Sequence, residues 1–134
     1  MDMQDINRKV IEQFRAGGEV DGMHRERLLL LTTTGAKSGA THTTPMMFHP
    51  DGDRLVVMAS NSGAPKPPDW YANLRATPSV TVEAANETYR ATATVAEGEE
   101  RTRLWTDITK LYPFFLDHEK QAHREIPLVI LTRT

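Results

Sequence analysis

Lys37 and Ser38 stand side by side between Gly35 and Gly39, within the stretch LLLLTTTGAKSGATHTTPMM from Leu28 to Met47. A cation and a hydroxyl at a glycine-bracketed turn suit an anion, a phosphate above all, because charged and polar donors converge where the backbone runs close. Surface hairpins also carry Lys and Ser for solubility, so the turn alone leaves both readings open. Spacing excludes two other phosphate devices. The phosphate loop of NTPases needs Gly directly before the Lys, another Gly five residues earlier and a helix afterwards. Here those positions hold Ala36 and Leu31, and β-branched residues follow. A G-x-G-x-x-G dinucleotide turn is absent too.

Other reactive side chains are sparse. His24, His42, His49, His118 and His123 show no H-x-x-x-H pair, and the last two are five apart, off one helix face, so no metal site is expected. Absence of cysteine removes thiolate nucleophiles, disulfides and zinc–thiolate sites. Ser60 and Ser62 lack a G-x-S-x-G elbow. Glu99 and Glu100 sit at a predicted helix start, where the helix dipole accounts for them. Ala59-Ser60-Asn61 ends a predicted strand in small residues, which would leave backbone groups free for a planar ring. Trp70 and Tyr71 follow the next loop and either wall such a ring or pack in the core. Tyr112-Pro113-Phe114-Phe115 gathers aromatics at a helix break, as a pocket lining or as a helix-end staple.

The elements that must position these residues follow from periodicity. Ile6, Val10, Ile11 and Phe14 predict an amphipathic helix ending at Gly17-Gly18, followed by a lead-in to Arg27. That helix is expected to cover one mouth of the core, with a lid over a site as the alternative. Strands are predicted at about 27–34, 40–48 and 54–60, joined by the Gly35–Gly39 turn and by Pro50-Asp51-Gly52-Asp53. Residues 61–68 read as irregular, a short helix opens at Pro68, and a hairpin turns at Ala85-Asn86. Helices at 97–111 and 114–123 precede a last strand at 126–131. Some six strands with short connections exclude a doubly wound sheet and predict an α+β fold: a closed or nearly closed antiparallel barrel with helices outside.

At 134 residues the chain is expected to form one domain, and a net charge of −2 gives no basic field for nucleic acid. The N-terminus lacks the apolar region of a signal peptide, and a cytoplasmic location is expected.

Three ordered segments then carry a resemblance: TTTGAKSG with TPMM; MASNSGAPKPPDWYANLRATPSVTVE; and LWTDITKLYPFF with REIPLVIL. Together, from about Arg27 to the C-terminus, they resemble the deazaflavin-dependent nitroreductase family. The resemblance implies a split β-barrel of the flavin-reductase, FMN-binding-like kind over residues 27–134, with residues 1–26 as an N-terminal helix and lead-in, and coenzyme F420 as the cofactor. It implies that the coenzyme's phosphate tail lies over Ala36, Lys37, Ser38, His42, Thr43, Thr44, Pro45, Met46 and Met47. The ring would lie against Met58, Ala59, Ser60 and Asn61, and against Asp69, Trp70, Tyr71 and Asn73. Met47, Tyr112, Phe115 and His118 would meet the acceptor, with Tyr112 orienting it or donating a proton. The implied reaction is hydride transfer to an electron-poor acceptor, a quinone, activated alkene or nitroaromatic.

Three positions depart from the family pattern. Ala36 and His42 stand where Arg is usual, and Asn61 where Lys is frequent, so cations are missing along the expected tail path. A charge-assisted contact is worth about 1.5–3 kcal/mol, which motivates the alternative of a non-catalytic binder of F420 or of a lipid or other apolar ligand. A homodimer, and a peripheral membrane or lipid contact through the N-terminal helix, complete the expectations.

Overall fold

The apolar run Leu28–Leu31 shows no alternation because both of its faces are buried. The computed structural model describes residues 3–17, 20 and 25–134; His24 and most of the expected lead-in lie outside them. Within the described residues, helix α1 (Met3–Arg15) precedes β1 (Leu28–Thr34), β2 (Thr41–Asp51) and β3 (Arg54–Met58). Helix α2 (Asp69–Ala76), β4 (Ser79–Ala84) and β5 (Glu87–Val95) follow, then α3 (Gly98–Leu111), α4 (Phe114–Ala122) and β6 (Leu128–Arg133). The six strands close into a barrel in the order β1-β2-β3-β6-β5-β4, with every described pair antiparallel.

Leu29 and Leu31 point into the barrel with Val57, Val80, Val82, Val129 and Leu131. Leu28 and Leu30 point outward, under Val10 and Phe14 of α1. Val56, Met58, Leu128 and Ile130 likewise face outward, under Leu104 and Ile108 of α3 and Phe115 of α4. Helix α1 covers the outer face of β1 and not the mouth of the core expected for it, whereas Trp70 and Leu74 of α2 join the interior cluster. Buried Leu and Val side chains contribute about 1.5–3 kcal/mol each, so these faces fix where the helices sit.

The β2–β3 hairpin turns at Gly52, whose φ of +62° calls for glycine. Strand β2 runs past the predicted end, through Pro50 to Asp51. Residues 61–68 contain a short 3-10 turn, Asn61–Gly63, where no regular structure was expected.

Asp51 pins α3 to this hairpin. Its carboxylate lies 3.0 Å from Arg103 and 2.6 Å from Arg54, and these two guanidinium groups lower its pKa to about 2. Because the folded value lies below the ordinary carboxylate value, the stabilisation is present above about pH 4 and is lost as the pH falls toward 2. Asp51→Asn should lower the urea midpoint at pH 7 by the equivalent of about 1 kcal/mol after solvent screening. The wild-type and variant midpoints should converge as the pH approaches 2.

Candidate functional site

The turn between β1 and β2 is built tightly. The Gly35 N–H donates to the Ala40 carbonyl at 2.7 Å, and the Gly39 N–H to the Gly35 carbonyl at 2.9 Å. Gly39 has φ +72°, whereas Gly35 is required by crowding: a Cβ there would stand 2.7 Å from Ser38 Oγ and 3.1 Å from His42 Nε2. Ser38 Oγ accepts the Ala40 N–H at 3.2 Å, leaving its hydroxyl hydrogen available to a ligand. The Ala36 N–H donates to Asn73 Oδ1 at 3.0 Å, and Asn73 Nδ2 donates to Thr33 Oγ1 at 3.3 Å. Asn73 therefore fastens α2 to the turn. Lys37 is exposed and, among the described residues, its ammonium has no ion-pair partner.

Gly35→Ala should distort this turn at a cost of about 1–3 kcal/mol, since a Cβ would press on Ser38 Oγ within the turn and, at 3.2 Å, on the backbone carbonyl of Ala40. A lower melting temperature together with weaker binding of a phosphorylated ligand is the expected result. Unchanged melting would contradict the packing argument.

A cleft of about 750 Å³ opens at the turn. Of the residues expected to bind the coenzyme, Ala36, Lys37, Ser38, His42, Thr43, Thr44, Asp69, Trp70 and Asn73 line it. Trp70 is 8% exposed and belongs mainly to the barrel core, so it offers the cleft only an edge. From Thr41 to Met47, β2 pairs with β1 alone, because the β2–β3 ladder begins at Phe48↔Val57. Pro45, which lacks an N–H, is tolerated at such an unpaired edge. Continued, that register would set Met58, Ala59 and Ser60 opposite Met47, Met46 and Pro45, but the two strands part there. The barrel is split between β2 and the Ala59–Asn61 segment.

The second lip of the split is shaped by Arg124. Its guanidinium donates to five carbonyls: Ala59, Ser60, Ala64, Lys66 and Glu125, at 3.1–3.3 Å. The Ala59 N–H donates to the Pro127 carbonyl at 2.9 Å. The expectation of free backbone groups at this strand end thus fails at Ala59. Asn61 adopts φ +49° and donates to the Lys66 carbonyl at 3.0 Å. Met46 faces the interior core, Met58 packs outward beneath α3 and α4, and Tyr71 lines a separate cavity of about 490 Å³. These three, like Pro45, Met47, Ala59, Ser60 and Asn61, are not among the residues that line the main cleft.

The residues expected to meet the acceptor lie in or against one packed cluster, of which Phe115 is a buried member. Met47 and Tyr112 pack against the cluster that contains Phe115. Tyr112 meets Phe114 and Phe115 edge-on at 6.0 and 6.3 Å, and His118 meets Phe115 at 5.8 Å. Arg27 stacks over the Tyr112 ring at 5.6 Å. Buried His118 Nδ1 and His49 Nδ1 each lack a hydrogen-bond partner among the described residues.

The sequence matches the profile of the F420H2-dependent quinone reductase family over residues 6–133. The chain belongs to that family. It is similar to an F420H2-dependent quinone reductase of Mycobacterium tuberculosis, with 34% identity over 108 residues covering 78% of this chain and 72% of the relative. It also resembles a solved F420-H2-dependent reductase, with 35% identity, a TM-score of 0.72 and coverage of 82% of this chain and 99% of the other. A solved domain-swapped dimer is 34% identical, with a TM-score of 0.74, covering 97% of this chain and 99% of the other.

Two further groups of residues shape the site of this F420H2-dependent quinone reductase family member and escape sequence reasoning. Asn7, Arg8 and Ile11 of α1 line the cleft with Thr41 and Ala72. The helical spacing of α1 was legible, but nothing in it tells which polar residues overhang a distant turn. Arg124 works through backbone carbonyls, which leave no signature in side-chain spacing.

Proposed function

We propose that this chain reduces quinones and holds coenzyme F420 along the split beside β2. The single observation that carries this reading is the open edge of β2. It has a cation at one end, Lys37, and an aromatic group at the other, Tyr112 with Met47, Phe115 and His118. Six residue steps from Thr41 to Met47 span about 20 Å, a track suited to a long coenzyme with a planar ring and an anionic tail. The cleft at the Gly35–Gly39 turn fits the phosphate end, with Lys37, Ser38 and the threonine hydroxyls as donors.

When bound, the reduced deazaflavin supplies a hydride from C5 to the acceptor. The residues of the chain hold and orient. Lys37 and Ser38 take the tail, and Pro45 and Met47 with the Ala59–Asn61 lip flank the ring. Tyr112 orients the quinone or hands a proton to its oxygen, and the surrounding apolar side chains exclude water. Activated alkenes and nitroaromatics are further acceptors on the same chemistry. A purely non-catalytic binder is not favoured, since the similar proteins are reductases by name.

The domain-swapped neighbour supports a homodimer. Among the described residues no helix is long and apolar enough to cross a membrane, and a cytoplasmic enzyme accords with this. Val10 and Phe14 of α1 are spent on the core, and among the described side chains of that helix Ile6 is an exposed large hydrophobic residue.

Titration with F420, followed through the coenzyme's fluorescence, tests the reading. Saturable quenching below tens of micromolar, without comparable binding of FMN, is expected. No change over that range would overturn the assignment.

A further inference from the structure

Helix α1 is held firmly against the barrel at two kinds of contact. Val10 and Phe14 are buried with Leu28 and Leu30, and Arg15 makes a bidentate pair with Glu83 of β4 at 3.0 and 2.9 Å. Arg8, Ile11 and Arg15 are spaced i, i+3 and i+7, and so share one face of the helix. Anchoring Arg15 therefore fixes where Arg8 lies: at the rim of the cleft that Lys37 enters from the opposite side of the sequence.

Lys37 and Arg8 are the two permanent cations among the residues lining this cleft, and Asp69 is the acid among them. Arg8 is lightly engaged, in a pair with Asp5 at 3.6 Å in which the two side chains are 71% and 50% exposed. An exposed pair of that kind is weak and yields readily to a ligand of higher charge. A guanidinium also offers paired donors to a phosphate or carboxylate, which an ammonium does not.

We propose that Arg8 is a second anchor for the anionic tail of the coenzyme, which makes α1 a wall of the binding site as well as a cover for β1. The inference rests on the coenzyme reading above. In a turn that carries Ala36 and His42, the helix supplies the positive charge from outside the hairpin.

The test compares two ligands, F420 and the deazaflavin that has the ring and ribityl chain without the phosphorylated tail. Wild type, Arg8→Gln and Lys9→Gln are titrated with both, after melting curves establish that all three are folded. Lys9 is the charge control, on the same helix and outside the cleft lining. Arg8→Gln should weaken F420 binding about tenfold, as expected for one charge-assisted contact, and leave the tail-less ligand unaffected. Lys9→Gln should change either ligand less than about twofold, because an exposed charge outside the cleft lining is screened by solvent and salt. F420 affinity retained in Arg8→Gln, or an equal loss in Lys9→Gln, would overturn the role of Arg8. Failure of the wild type to bind F420 would appear before any variant is made; it would strike the coenzyme reading itself, and the anchor with it.

Discussion

Lys37→Glu is expected to weaken F420 binding by about two to three orders of magnitude and to leave the fold intact. Removing a charge-assisted contact costs about 1.5–3 kcal/mol, and placing a carboxylate beside the tail adds repulsion of comparable size. Solvent screening in the open cleft holds the sum near its lower end, about 3–4 kcal/mol, and at about 1.4 kcal/mol per factor of ten this gives the stated range. The fold should not feel the change, because Lys37 is exposed and has no ion-pair partner among the described residues. Fluorescence titration and a melting curve on the same preparation separate the two effects. An unchanged affinity would remove the turn from the binding site.

Arg124→Met should damage both the fold and the second lip of the split. The guanidinium satisfies the carbonyls of Ala59, Ser60, Ala64 and Lys66, and so ties the loop after β3 to the chain just before β6. Methionine keeps much of the apolar volume and offers no donor, so the partly buried carbonyls of Ala59 and Ala64 lose the guanidinium, whereas Ser60 keeps the Gly63 N–H and Lys66 keeps the Asn61 amide. At about 1–3 kcal/mol for an unsatisfied group, partly relieved by water, a net loss of roughly 3 kcal/mol is expected. For a domain of this size that lowers the melting temperature by about 10 °C. Because this loop is the second lip of the split, turnover should fall further than the stability loss explains at a temperature where the variant is still folded. Arg124→Lys should recover little of either, since one ammonium cannot reproduce the fork. A variant with the wild-type melting temperature and turnover would show that the loop holds its shape without the guanidinium.

The architecture was legible because its signals are local. Leucine runs, Gly52, and the Ala85-Asn86 turn with φ of 50° and 64° announce strands and hairpins from sequence alone. The length of β2 was not, because Pro50 reads as a breaker; its place opposite Leu55, at the last pairs of the hairpin, tolerates it. At the site, Lys37 and Ser38 declared themselves through their glycines, although Gly35 serves by crowding rather than by a positive φ. Met58 illustrates the opposite case. It lies in the right segment, but strand alternation turns it outward once Val57 faces the core. Arg8 and Arg124 stayed hidden because each acts across a long sequence separation, one on a cleft and the other on backbone carbonyls. Trp70 was readable either as a ring wall or as core, and its burial favours the core.

The split beside β2 is proposed to bind F420 and to serve quinone reduction. The most direct test is an anaerobic reaction of the purified protein with reduced F420 and a soluble naphthoquinone, followed by the return of the oxidised coenzyme's absorbance. Rapid, enzyme-dependent oxidation of the coenzyme is expected, nearly abolished in Lys37→Glu at subsaturating coenzyme and not supported by reduced FMN or NADPH. Tight F420 binding with no oxidation by any quinone would contradict it, and would leave a protein that carries the coenzyme without using it.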